Sequence, residues 1–297
     1  MKNFNELLKK AKERGKCRLS VAEAADETVL QAVEDARKEG LIEPILVGEK
    51  SKIEQTLKSL ELSLNNYTII EPAEGATGAK TAVRLVTEGK AELLMKGLLP
   101  TAEILREVLN KENELNLGKT LSHVAVFQHP DYDRFIFVTD AGLNIAPDLN
   151  QKRDIVQNAI NLALKLGVQN PIAAIVCAVE VVNPAMPATI DAAALVKMNE
   201  RGTIRGGRVE GPLALDNAIS VEAANHKGIK SPLAGRANIL VAPDIEAGNI
   251  LYKSLIFFGK AVTAGLIVGA KTPVVLTSRA DSAESKLYSI ALGVLSH

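Results

Sequence analysis

Apolar and polar positions along the chain follow two periods. Short β-rich runs lie at 17–22 (CRLSVA), 43–48 (EPILVG), 67–72 (YTIIEP), 92–97 (ELLMKG), 123–128 (HVAVFQ), 135–140 (FIFVTD), 171–179 (PIAAIVCAV), 238–244 (NILVAPD), 262–269 (VTAGLIVG) and 273–278 (PVVLTS). Between them, helix-period runs occupy 26–39, 74–88, 101–110, 148–166, 185–200, 245–258 and 281–293. The opening MKNFNELLKKAKERG predicts a further amphipathic helix, with Phe4, Leu7, Leu8 and Ala11 on one face. Several strand runs are apolar throughout, as in IAAIV and NILVAP. Strands covered on both faces read that way, so the pattern predicts an α/β fold with mostly parallel sheets and helices on both faces. Helix entrances are marked by Asp26, Thr101 and Pro147-Asp148, and Gly167 closes the helix that begins at 148.

Two polar stretches interrupt this order. One is NKENELNLGKTLS (110–122), read as a surface loop; the other is ERGTIRGGRVEGPLALDNA (200–218), with four glycines and three arginines. They divide the chain into an expected discontinuous lobe, 1–126 plus 268–297, and a middle lobe, 127–267, with a cleft between. The last strand and helix are too short to stand alone and are expected to rejoin the first lobe.

Composition narrows the classes. The 297 residues carry 35 Lys plus Arg against 35 Asp plus Glu, a neutral balance that argues against a general nucleic-acid or membrane-surface binder. The core is built from Ala, Val, Leu and Ile, since aromatics are only 3% and Trp is absent. Cys17 and Cys177 sit far apart in apolar runs without metal spacing, which suits buried hydrophobes in a reducing compartment. The opening helix lacks the apolar centre of a signal peptide. No apolar run reaches the roughly 18 residues of a membrane span. A cytoplasmic protein is expected.

Ligands of α/β sheets bind beyond the carboxyl ends of the strands. Polar residues gather there: Lys96-Gly97, Thr139-Asp140 with Asn144, Glu180, Asp244 with Gly248 and Asn249, and Thr277-Ser278-Arg279. The corner at 277–282 combines a helix start with hydroxyls and an arginine. It suits an anion, because unpaired N–H groups and the helix dipole face outward there. Local pattern alone slightly favours a helix cap formed by Asp281 or Ser282, since Ser and Asp are the commonest caps. Asp140 and Asn144 read either as substrate or metal contacts or as turn residues bonding their own backbone. One carboxylate and one amide are a weak metal signal, and no metal is expected. Glu210 and Asp216 are acids among glycines. Neither a Gly-x-Gly-x-x-Gly fingerprint nor a P-loop nor a Gly-x-Ser-x-Gly elbow is present.

Five segments read together resemble the phosphate acetyl/butyryltransferase family: LLMKGLLPTAEILREVL, FVTDAGLNIAPDLNQKRDIVQNAI, EGPLALDNAIS, ANILVAPDIEAGNILYKSLIFF and PVVLTSRADSAESKLYSIAL. They run in order from about residue 90 to the end, and TDAGLNIAPD and TSRADSAES resemble the butyryl branch. The resemblance implies conversion of a short-chain acyl-CoA and phosphate to acyl phosphate and CoA, in short-chain fatty acid metabolism. It implies no cofactor and no metal, two lobes of the isocitrate/isopropylmalate dehydrogenase type, and a homodimer. Ser278 takes the place of the family's oxyanion donor and Arg279 that of its phosphoryl ligand. Lys96, Gly97, Thr139, Asp140, Asn144, Asp244, Gly248 and Asn249 are the expected substrate, CoA or phosphate contacts.

The chain departs from the acetyl branch at two positions. Ser285 stands where that branch has its proposed thiol base, leaving Asp281 and Glu284 as the nearest acids. Ile256 stands where it has a second arginine, as core or as lining of an acyl pocket. The alternatives are a phosphate acetyltransferase, a non-catalytic CoA- or metabolite-binding member, and a metal-dependent dehydrogenase on the same fold.

Overall fold

The computed structural model describes residues 1–277 and 281–297. The chain divides into two units, one formed by 4–118 with 264–297 and the other by 119–263 with 1–3.

The first unit is built on parallel pairing. Its strands are β1 (Cys17–Ala22), β2 (Ile42–Val47), β3 (Thr68–Ile70) and β4 (Leu93–Lys96), followed at the far end of the chain by β11 (Val274–Val275). β3, β2, β1, β4 and β11 lie side by side in that order, all parallel. β10 (Val262–Val268) then pairs antiparallel with β11. The connections are helical: α2 (Glu27–Lys38), α3 (Lys50–Ser59) and α4 (Gly78–Thr87). α2 starts where the sequence marks it, with the Asp26 side chain accepting from the Val29 N–H at 2.9 Å. α5 (Thr101–Leu109) begins one residue after Pro100.

The last helix, α11 (Ala283–Ser296), is buried along most of its length and packs against α2 and α1 (Phe4–Arg14). Phe4, on the expected apolar face of α1, stacks on Tyr288 with ring centroids 4.5 Å apart. The closing segment therefore rejoins the first unit through a strand, a helix and an aromatic contact.

The second unit holds β5 (Ser122–Gln128), β6 (Ile136–Thr139), β7 (Ile172–Val176), β8 (Arg208–Leu213) and β9 (Ile239–Val241). Their order is β5-β6-β9-β7-β8, parallel except for β5 against β6. α6 (Leu149–Lys165), α7 (Pro187–Glu200), the short α8 (Leu215–Ile219) and α9 (Val221–His226), and α10 (Ile245–Phe257) complete it. Asp148 caps α6 in a reciprocal box with Gln151. Phe127, Val138 and Leu240 form its core with Leu213, and Tyr252, Leu255 and Ile256 of α10 pack onto them. Ile256 is thus a core-facing residue.

Three expectations are corrected. A boundary at 126/127 would cut β5, which pairs with β6 and so belongs wholly to the second unit. The 200–218 stretch is not one loop: Arg208–Leu213 forms edge strand β8, whose glycine and proline are tolerated because only one side is paired. The segment 50–59, unassigned by periodicity, is helix α3. Among the described residues no helix is long and apolar enough to cross a membrane.

Phe4 is 1% exposed, so Phe4→Ala empties a closed site. The expected loss is about 3–5 kcal/mol. Urea unfolding should show a lower midpoint at unchanged slope.

Candidate functional site

Parallel strands place their carboxyl ends, and the helix N-termini that follow, on one edge. In the first unit that edge holds the exits of β1, β4 and β11. The chain leaving β4 lies directly on that leaving β1: Gly97 N–H donates to the Ala22 carbonyl at 2.8 Å and Leu98 N–H to the Glu23 carbonyl at 2.7 Å. A Cβ on Gly97 would lie 2.2 Å from the Glu23 carbonyl oxygen, so only glycine fits.

Lys96, just before it, is buried, and its Nζ donates to the carbonyls of Gly97 and Leu99 at 3.1 and 3.2 Å. Asp26, Thr28, Lys96, Gly97, Thr277 and Lys286 line one small crevice here. Ser278 and Arg279, the residues on which the sequence reading places the chemistry, lie outside the described residues.

The start of α11 bounds the same corner. Ser282 is its cap: the Ser282 side chain accepts from Ser285 N–H at 3.1 Å. Ser285 is thereby tied to the cap, its hydroxyl accepting from that of Ser282 at 3.3 Å. Glu284 accepts from the Tyr288 hydroxyl at 2.9 Å, and burial together with this carboxylate pushes the Tyr288 phenol up to about 12. Lys286, only 2% exposed, turns inward and donates to the Asp281 carbonyl at 2.5 Å. Burial lowers its pKa, while the charges of Asp281 and Asp26 oppose the shift.

Lys286, Asp26 and Thr28 were not singled out from the sequence as site residues. The available signal was a lysine on the buried stripe Lys286, Ser289, Ile290 and Gly293.

The second unit has its own strand-exit cluster. Asp140 follows β6 and is 3% exposed. Its Oδ1 accepts from the N–H groups of Gly142 and Leu143 at 2.8 and 2.9 Å. Its Oδ2 accepts from His123 N–H at 3.1 Å and from Asn144 Nδ2 at 2.6 Å. Asn144 Nδ2 also donates to the Leu121 carbonyl, and the Thr139 hydroxyl to the His123 carbonyl.

α10 comes down on this turn. Asp244 caps it by accepting from Ala247 N–H, and Asn249 Nδ2 donates to the Ala141 carbonyl at 3.0 Å. A Cβ on Gly248 would meet the Asp140 carbonyl oxygen at 2.2 Å, so glycine lets the helix reach the turn. The structure thus joins Thr139, Asp140, Asn144, Gly248 and Asn249 into one bonded cluster. Asp140 is bonded as a turn residue, with four N–H donors on its two oxygens.

Glu210 accepts from Gly211 N–H and the Ser231 hydroxyl. Lys227 bridges Glu180 at 2.7 Å and Asp216 at 3.1 Å, which holds both carboxyls below their usual range. Among the described residues no three His, Cys, Asp or Glu side chains group as a metal site.

Comparisons with known proteins extend this picture. A branched-chain phosphotransacylase from Enterococcus faecalis has a matching solved structure, with TM-score 0.83 and 37% identity over 94% of this chain and 98% of that one. "Phosphate butyryltransferase" of Clostridium acetobutylicum is 48% identical over 99% of this chain and 98% of its own length. "Phosphate acetyltransferase" of Thermotoga maritima is 46% identical over 98% of this chain and 99% of its own. The family described as "Phosphate acetyl/butaryl transferase" matches residues 3–81 and 75–294. Fold and relatives together define an α/β acyltransferase. The chain belongs to the phosphate acetyl/butyryl transferase family.

The lowered pKa of Lys286 has a measurable consequence. As pH rises, the folded chain gives up this proton before the unfolded chain, whose lysines titrate near about 10.4. In that window the unfolded state binds more protons, so Lys286 costs less stability as pH rises. Urea melts of wild type and Lys286→Met at about pH 7 and about pH 9.5 should show the difference shifting toward wild type at the higher pH. An unchanged difference would mean that the ammonium is not desolvated.

Proposed function

We propose that the chain converts butanoyl-CoA and phosphate to butanoyl phosphate and CoA in a ternary complex, without metal or cofactor. What carries the reading is the butyryltransferase relative, 48% identical over nearly the whole length, together with the closing motif TSRADSAES. A phosphate oxygen attacks the thioester carbonyl, the C–S bond breaks, and CoA leaves as thiolate. Arg279 holds the phosphoryl oxygens with its planar fork, and Ser278 donates to the oxyanion of the tetrahedral intermediate. Lys96, Gly97, Thr139, Asp140, Asn144, Asp244, Gly248 and Asn249 are the substrate contacts that the family motifs suggest. Holding both reactants in place supplies much of the remaining acceleration.

Arg279→Ala should lower phosphate-dependent CoA release from butanoyl-CoA by about 10²–10³, the usual cost of one transition-state donor, with circular dichroism unchanged. Full activity in this variant would remove Arg279 from the mechanism. The Thermotoga maritima relative named an acetyltransferase favours a second reading, and kcat/KM for acetyl-CoA against butanoyl-CoA decides between them. A chain that binds CoA without turning over any short acyl-CoA would be a non-catalytic member.

The enzyme is proposed to act in the cytoplasm as a homodimer. Ile250, Phe257 and Phe258 of α10 and the residue that follows it stand at i, i+7 and i+8 and are 67%, 68% and 88% exposed. Such an apolar face suits a partner copy. Phe257→Asp combined with Phe258→Asp should halve the solution mass read by light scattering. A wild type already monomeric at micromolar concentration would overturn the dimer.

A further inference from the structure

Helix α11 is fixed along its length within the first unit. The Ser289 hydroxyl accepts from the N–H of Gly265 in β10 at 3.0 Å and donates to the Ser285 carbonyl at 2.8 Å. One turn further on, Gly293 lets the helix lie close on β11 and β4. A Cβ there would meet the Val275 side chain at 3.0 Å and that of Leu93 at 3.5 Å.

Lys286 stands on this fixed body and reaches back over its start. The ammonium donates to the carbonyl of Asp281, the residue before the Ser282 cap, at 2.5 Å. Burial works against the charge, and the carboxylates of Asp281 and Asp26 support it. Asp26 is itself engaged, accepting from the Thr28 hydroxyl at 2.7 Å and from Val29 N–H at 2.9 Å. The crevice that Lys286 shares with Asp26, Thr28, Lys96 and Thr277 has a volume of about 10 Å³. That is room for about one water and not for a phosphate, so the ammonium acts on the chain around it rather than on a substrate.

The chain around it joins β11 to α11. Thr277 lines the crevice and the Asp281 carbonyl is bonded to Lys286, so the described residues on either side of 278–280 both belong to this corner. Arg279 stands two residues from each of them in sequence, and two residues of chain span about 7 Å at most. We propose that Lys286 is a positioning residue for phosphate transfer: by tying the Asp281 carbonyl to the body of α11, it fixes the chain that carries Arg279. The assignment rests on the acyl-transfer reading above, in which Arg279 holds the phosphoryl oxygens. It gives the buried ammonium a task that a methionine of similar length could not perform.

The test is a double-mutant cycle on Lys286 and Arg279. Lys286→Met keeps an unbranched stem and removes the donor. Its kcat/KM for phosphate should fall about 10²-fold, the usual effect of a misplacement of about 1 Å, with KM for butanoyl-CoA unchanged. In an Arg279→Ala background the same substitution should cost no further activity, because a residue that acts through Arg279 then has nothing to act on. Full additivity overturns the proposal, since a direct phosphate contact or a loss of folded protein would give it. So does an equal rise in KM for both substrates. Circular dichroism and urea midpoints separate lost placement from lost fold, and Lys286→Gln takes the place of Lys286→Met in the cycle if the methionine variant does not fold. Calorimetric titration with inorganic phosphate needs no turnover, and its Kd should weaken about tenfold in Lys286→Met. An unmoved Kd overturns the proposal. Absence of phosphate-dependent CoA release in wild type would sink the acyl-transfer reading instead, and the phosphate Kd would then still decide whether Lys286 organises an anion site at this corner.

Discussion

Parallel pairing is the constraint from which the rest of the molecule follows. A parallel strand must be fed by a crossover, here mostly a helix, so all strand exits except those of β5 and β10, which lead directly into antiparallel neighbours, are followed by a helix start on the same edge. That edge collects unpaired N–H groups, cap carboxylates and hydroxyls whether or not chemistry is done there. β1, β4 and β11 converge in this way in the first unit, and β6, β9, β7 and β8 in the second. The polar residues needed for binding are therefore placed by the same geometry that requires them for capping.

The crowding at these edges explains where glycine and buried charge are tolerated. Gly97 and Gly248 each allow a backbone carbonyl to approach to a distance no side chain permits. Asp140 is buried, yet every acceptor direction is met by an N–H group, which offsets the desolvation of its charge. Lys286 is a different case. Burial lowers its pKa, and the charges of Asp281 and Asp26 only oppose that shift. Natural proteins keep such a group where it fixes a position, and here it ties the start of α11 to the chain that enters it.

Much of this was legible in the sequence, because long periodic runs leave little freedom. The caps at Asp26 and Asp148 and the placement of all ten strand runs could be read from pattern alone, whereas the return of the last helix was favoured by pattern but not fixed by it. β8 could not, since Gly211-Pro212 reads as a turn and only edge position makes it acceptable in a strand. α3 escaped because its lysines and a single pair of buried residues, Ile53 and Leu57, give a thin apolar stripe. At the corner, the motif pointed to Ser278 and Arg279, but nothing local showed that Lys286 turns inward. A lysine one turn into a helix is ordinarily solvated, and its burial depends on α2 and β4, more than 180 residues earlier in sequence.

The commitments of α11 also bear on the proton of the CoA thiol. Ser285 is bound into the cap by Ser282, and Glu284 holds the Tyr288 hydroxyl. The first turn of this helix is thus occupied in holding its own start. A thiol with a pKa of about 8.5 is already a few per cent thiolate near neutral pH and needs little help from a base. Each donor aimed at the oxyanion or phosphoryl group is worth about 10²–10³, far more than a base could add to so weak a demand. On the reading proposed here, a side chain without a carboxylate at position 285 therefore costs the transfer step little.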